Sequence, residues 1–162
     1  MRHLLASLLL AITAPLCAFA YDYPKGHRAL EIFDAEGMAA TPTGVKIWIV
    51  VATAFFVAGL IFVRRHSIAR WVTGCYFAGF MALVFSSVFN MVQFQLAGFN
   101  ALMHIIFWTP ALYQLLTKRP FLSKKATFFS VWTGVITVII LISCFFDIPY
   151  SFIFLKHVIF DL

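Results

Sequence analysis

The chain has 162 residues, of which 63% are hydrophobic and 11% charged, and its mean hydropathy is +0.97. Ordinary globular chains are about 45–50% apolar and about 25% charged, so this chain falls far outside the water-soluble class. The net charge of +6 does not indicate a nucleic-acid surface. The basic residues gather in two short clusters between apolar runs, as topology signals do, and no nucleic-acid motif occurs.

Residues 1–20 read MRHLLASLLLAITAPLCAFA. A basic start at Arg2 and His3, an apolar stretch from Leu4 to Ile12 and a small-x-small ending at Ala18-Phe19-Ala20 predict a secretory signal peptide cleaved after Ala20. The alternative is an uncleaved anchor helix. Both put Tyr21 on the far side of the membrane. Pro15-Leu16 before Cys17 argues against a lipoprotein signal.

Residues 21–44 form the one sizeable polar segment and carry four of the six acids, Asp22, Glu31, Asp34 and Glu36. A short helix is expected over Arg28 to Met38, then a turn at Thr41-Pro42-Thr43-Gly44. The segment is too short for a core of its own and is expected to lie on the bundle or on a partner. A lone His27 among scattered carboxylates makes a weak metal site, and a solvated surface is expected there.

Four apolar runs follow, continuous rather than alternating, which favours helices over a transmembrane barrel. The first is expected over residues 45–63, with Lys46 and Trp48 as interfacial anchors. The second covers 71–92. There Gly74, Ala78, Ala82 and Ser86 recur every fourth residue, predicting a close-packing face and a central position. The third covers 99–118 and contains Pro110, where a kink is expected. The fourth covers 126–146, closed by Asp147 and Pro149. The remaining tail, 148–162, is apolar but too short to span and is predicted to lie in the interface.

The loops between runs one and two and between runs three and four hold Arg64, Arg65, Arg70, Lys118, Arg119, Lys124 and Lys125, and no acids. The positive-inside rule puts both in the cytoplasm. The signal peptide independently places the mature N-terminus outside. The predicted fold is therefore all-α: a four-helix transmembrane bundle of a bacterial inner membrane, with both mature ends extracytoplasmic.

The third run carries Asn100, His104 and Gln114 inside an apolar stretch. Wound at about 100° per residue, Asn100, His104, Phe107, Ala111 and Gln114 share one face, with Leu102, Ile105, Ile106, Thr109, Leu112 and Leu116 opposite. Polar side chains in a span are costly and usually turn inward to pair. The candidate site is His104, with Asn90 and Asn100 orienting it and Trp108 one turn deeper. His104 could serve as a haem ligand, a quinone hydrogen-bond partner, a proton relay or one ligand of a copper site. The plainer alternative is interhelical glue, with His104 bonded to Asn90 or Asn100. A bis-histidine haem would need a second histidine, and His157 in the tail is the candidate.

No Cys-x-x-Cys, phosphate loop, nucleophile elbow or His-Glu-x-x-His is present. No catalytic residues, metal ligands or definite cofactor are assigned. The expected function is an accessory or assembly subunit of a membrane complex, with the bilayer and a membrane-protein partner or second copy as its surroundings. The first alternative is a haem-, quinone- or copper-binding protein centred on His104. A small oligomeric transporter or channel ranks last.

Overall fold

A computed structural model describes residues 28–33 and 35–160. The expected signal peptide, His27, Asp34 and Asp161 lie outside the described residues. A 3-10 turn at Arg28–Leu30 leads into helix α1, Ala35–Ala40. Four long helices follow: α2, Thr43–Ala58; α3, Ser67–Val88; α4, Ala97–Lys118; and α5, Phe128–Phe160. No strand occurs among the described residues; one isolated bridge joins Ile32 to Leu96.

Three of these elements are long and apolar enough to cross a membrane: Thr43–Ile61, Ser67–Val88 and Phe128–Phe160. They point to a membrane protein. Helix α4 matches α3 in length, at 22 residues each, but its Asn100, His104 and Gln114 keep it out of that group.

Helix α5 holds the bundle together. Over its most apolar stretch 56% of the residues are buried, against 17% for α2 and 22% for α3. The largest fully enclosed side chains are Phe56, Val72, Leu115, Thr133, Ile136, Ile139 and Ile140, and three of those apolar residues and Thr133 come from α5. The central helix is thus α5, not α3. On α3, Gly74 and Ala78 are exposed and only Ser86, at the far end of the small-residue series, is buried. Nothing lies within 4 Å of where a Gly74 side chain would begin. Periodicity placed these residues on one face correctly, but that face turns outward over its first half.

The C-terminus also differs from expectation. The fourth helix was expected to close at Asp147 and Pro149, yet α5 runs through both to Phe160, 33 residues in all. At 1.5 Å per residue that is about 50 Å, well beyond the ~30 Å bilayer core. Proline removes one backbone donor and usually ends a helix. Here the residues beyond it have a strong reason to stay helical. Ser151 and Phe154 are buried, and Phe154 packs on Phe99 of α4 at 5.7 Å between ring centroids. The Ser151 hydroxyl donates to the Asp147 carbonyl at 2.7 Å. In apolar surroundings, moreover, an unwound backbone would find no water to replace its helical bonds.

The polar lead-in folds onto this end of the bundle. The Phe33 N–H donates to the Gln95 carbonyl and the Ala97 N–H to the Glu31 carbonyl, both at 2.9 Å. The second bond satisfies an otherwise partnerless N–H at the start of α4. Arg28 donates to Thr41 Oγ1 at 2.6 Å, which in turn donates to the Gly37 carbonyl at 2.8 Å. The expected single helix over residues 28–38 is therefore two shorter pieces, with an extended stretch between them pairing with Leu96.

At the opposite end, α2 meets α5. The Gly59 N–H turns to the carbonyls of Phe56 and Val57 as the helix tightens into the 3-10 turn Gly59–Ile61. The indole N–H of Trp132 donates to the Phe55 carbonyl at 2.8 Å. Trp132 lies against Gly59 so closely that a side chain there would begin 2.7 Å from Trp132 Cζ2. Phe62, His66 and Phe129 complete an aromatic cluster, with His66 stacked on Phe129 at 3.7 Å.

Candidate functional site

The second turn of α4 brings His104 toward α5. Its Nδ1 lies 3.0 Å from Asp147 Oδ2. A neutral imidazole that donates from Nδ1 to this carboxylate keeps its lone pair on Nε2. No hydrogen bond engages Nε2 among the described residues. The pair is partly shielded, with side-chain exposures of 29% for His104 and 17% for Asp147.

Trp108, one turn along α4, holds the imidazole from the other side. The two rings stack with centroids 4.1 Å apart and planes within 13°. Trp108 is itself buried and leans on Phe56 of α2 at 4.9 Å; Phe56 stacks on Tyr76 of α3 at 4.6 Å. The Tyr76 hydroxyl donates to Thr53 Oγ1 at 3.2 Å. Three of the four long helices, α2, α3 and α4, therefore contribute to one chain of rings that ends at His104, and α5 supplies the carboxylate at its edge. A ring fixed by a carboxylate at its edge and an indole at its face has little freedom to reorient, which is what a binding nitrogen requires.

The sequence-derived set divides accordingly. His104 and Trp108 come together, one turn apart on α4 with their rings stacked. Asn100 shares the α4 face, but no hydrogen bond joins it to His104. Its Oδ1 is buried without a partner beside a cleft of about 140 Å³ walled by Ile32, Phe33, Leu83 and Phe94. Asn90 is not part of the site. It sits exposed in the turn after α3, in the left-handed region at φ 51°, and its Oδ1 is 3.5 Å from Gln95 Nε2. Neither asparagine is the imidazole's partner; Asp147 is.

Asp147 is named in the sequence only as the close of the fourth run and not as a partner of His104, and a signal for the pairing exists. A carboxylate inside an apolar helix is expensive and needs a partner, and His104 is the sole histidine within the four apolar runs. His157 lies ten residues beyond Asp147 on α5, half-buried. Among the described residues no three His, Cys, Asp or Glu side chains gather as a metal site, so a metal at His104 would need ligands from elsewhere. The buried Gln114 Oε1, further along the same face of α4, also lacks a partner.

No family model, curated protein or solved structure matches this chain.

Proposed function

We propose that the chain is a four-span protein of a bacterial inner membrane that binds a lipophilic hydroxyl-bearing ligand, of the quinol class, at His104. In this reading residues 1–20 are a cleaved signal peptide, both mature ends are extracytoplasmic, and α4 is the fourth span despite its polar residues. Support for the orientation comes from the seven basic, acid-free loop positions between Arg64 and Lys125. His104 is then about 10 Å below the outer end of α4, within the outer leaflet.

The observation that carries the ligand reading is the 3.0 Å contact between His104 Nδ1 and Asp147 Oδ2, which leaves Nε2 without a partner among the described residues. With Nδ1–H committed to Asp147, Nε2 can accept a hydrogen bond from a hydroxyl donor arriving through the bilayer. A quinol needs one such acceptor and apolar surroundings, whereas a bis-histidine haem or a copper site needs further ligands. The protein purified in mild detergent under reducing conditions should carry a co-extracted quinol-class lipophile visible in its ultraviolet spectrum. His104→Ala should lose it. Equal content in the wild type and His104→Ala, or none in either, refutes the proposal.

A second reading, an accessory or assembly subunit, draws on the outer half of α3. Phe80, Val84, Phe85 and Val88 are all exposed there, a broad apolar face suited to a partner helix as well as to lipid. Bulky-to-polar changes on this face should dissociate a stoichiometric complex in native gels while leaving the protein folded. A free monomer before and after such changes rules this reading out.

A further inference from the structure

The first half of α3 carries a second feature, remote from His104. A groove of about 380 Å³ runs along it, lined by Ser67, Arg70, Trp71, Gly74 and Ala78, with Phe107 of α4 as one wall. The α3 positions are three and four apart and so fall in a single strip. From Ser67 to Ala78 the strip rises about 16 Å, roughly half of a bilayer core. Its two ends differ chemically. Ser67, Arg70 and Trp71 stand at the helix start, beside the basic loop. Gly74 and Ala78 form a smooth apolar floor, and nothing lies within 4 Å of the missing Gly74 side chain.

Arg70 is held in place without being used up. One guanidinium nitrogen donates to the Val63 carbonyl at 3.1 Å, fixing the side chain across the start of the helix. Guanidinium has five N–H donors, so most remain available. Trp71, half exposed at 51%, has the amphipathic ring that favours the membrane interface. Every charged residue in the two loops at this end is basic. A cation and an interfacial indole above an apolar furrow match a phosphate above an acyl chain.

We propose that this groove binds one anionic phospholipid, its phosphate on Arg70 and Ser67 and one acyl chain laid over Gly74 and Ala78 against Phe107. The site is independent of the ligand at His104 and requires only that α3 be in a bilayer. The test uses the full mature protein in bilayers of mixed phosphatidylglycerol and phosphatidylcholine, followed by native mass spectrometry. The wild type should retain one phosphatidylglycerol in preference to phosphatidylcholine by about tenfold, because both offer a phosphate but phosphatidylcholine adds a cationic head group beside Arg70 and the basic loops.

Arg70→Gln should abolish the preference, and Gly74→Leu, which fills the furrow, should release lipid of either kind. Lys124→Gln, a loop charge outside the groove, should leave the preference intact. The proposal is overturned if the wild type retains both lipids equally, or if Lys124→Gln and Arg70→Gln lose selectivity alike. It is also overturned if the mass is that of a lipid-free dimer that Gly74→Leu splits, since a second copy then covers the groove.

Discussion

Replacing Gly98 with alanine tests whether α5 truly continues past Pro149 to brace α4. A side-chain carbon at position 98 would begin 2.6 Å from Phe154 Cβ and 2.9 Å from the carbonyl oxygens of Ala29 and Tyr150. Ordinary contact starts near 3.4 Å, so something must give by about 0.5–0.8 Å. Two of the three obstacles are backbone atoms, one in the 3-10 turn and one in α5, and neither can rotate aside. Overpacking of this kind costs about 1–3 kcal/mol. Alanine's helix preference over glycine returns at most about 1 kcal/mol. With two backbone obstacles the cost falls toward the upper end of that range, so the net expectation is a loss of roughly 1–3 kcal/mol, read as a lowered midpoint when thermal unfolding in mild detergent is followed by circular dichroism. Gly74→Ala is the matched control. Nothing lies within 4 Å of that position, so the helix preference should act alone and the midpoint should hold or rise. A Gly98→Ala protein melting at or above the wild type would mean that residues 150–154 do not pack there. An equal fall in both variants would show that the contact geometry is not what sets the cost.

Gly59→Ala should destabilise by a similar ~1–3 kcal/mol, because its new side chain meets the Thr73 hydroxyl and, at 2.7 Å, the Trp132 ring; the same melting experiment reads it. Trp132→Phe keeps an aromatic body but strips the Phe55 carbonyl of the indole donor at 2.8 Å. A loss of about 1 kcal/mol is expected in that assay, and an unchanged midpoint would show the bond to be dispensable. His104→Leu and Asp147→Leu, singly and together, form a double-mutant cycle for the 3.0 Å contact between α4 and α5. Interhelical bonds in membranes average about 0.6 kcal/mol with a maximum near 1.7, so the coupling should fall in that range. Additive losses would mean that the two side chains do not act on each other.

What the amino-acid order reveals here, and what it conceals, divides along the difference between local and tertiary information. Apolar runs without alternation announce helices because a backbone deprived of water has few other ways to bond. That reasoning holds for α2, α3, α4 and α5. Winding α4 orients it in part, since Leu102 and Leu112 of the expected outward face pack against the core. Ile106, Thr109 and Leu116 of the expected outward face are exposed, while His104 and Ala111 turn inward. Direction relative to neighbours is another matter. The small residues of α3 share a face, but nothing local says which way that face turns, and Gly74 and Ala78 look outward. Pro149 misleads for a related reason. Its local preference is to end a helix, yet Ser151 and Phe154 find buried places only if the helix goes on. With the helix stopped at Pro149, Asp147 becomes a terminal, solvated acid and its tie to His104 disappears from view. Carried through, the same proline leaves Asp147 in the wall of the bundle, opposite the imidazole. The helix boundary and the site's missing carboxylate were thus one question. The cost of an unpaired charge in an apolar wall answers it without coordinates: the carboxylate must meet a donor, and His104 is the one that the spans supply.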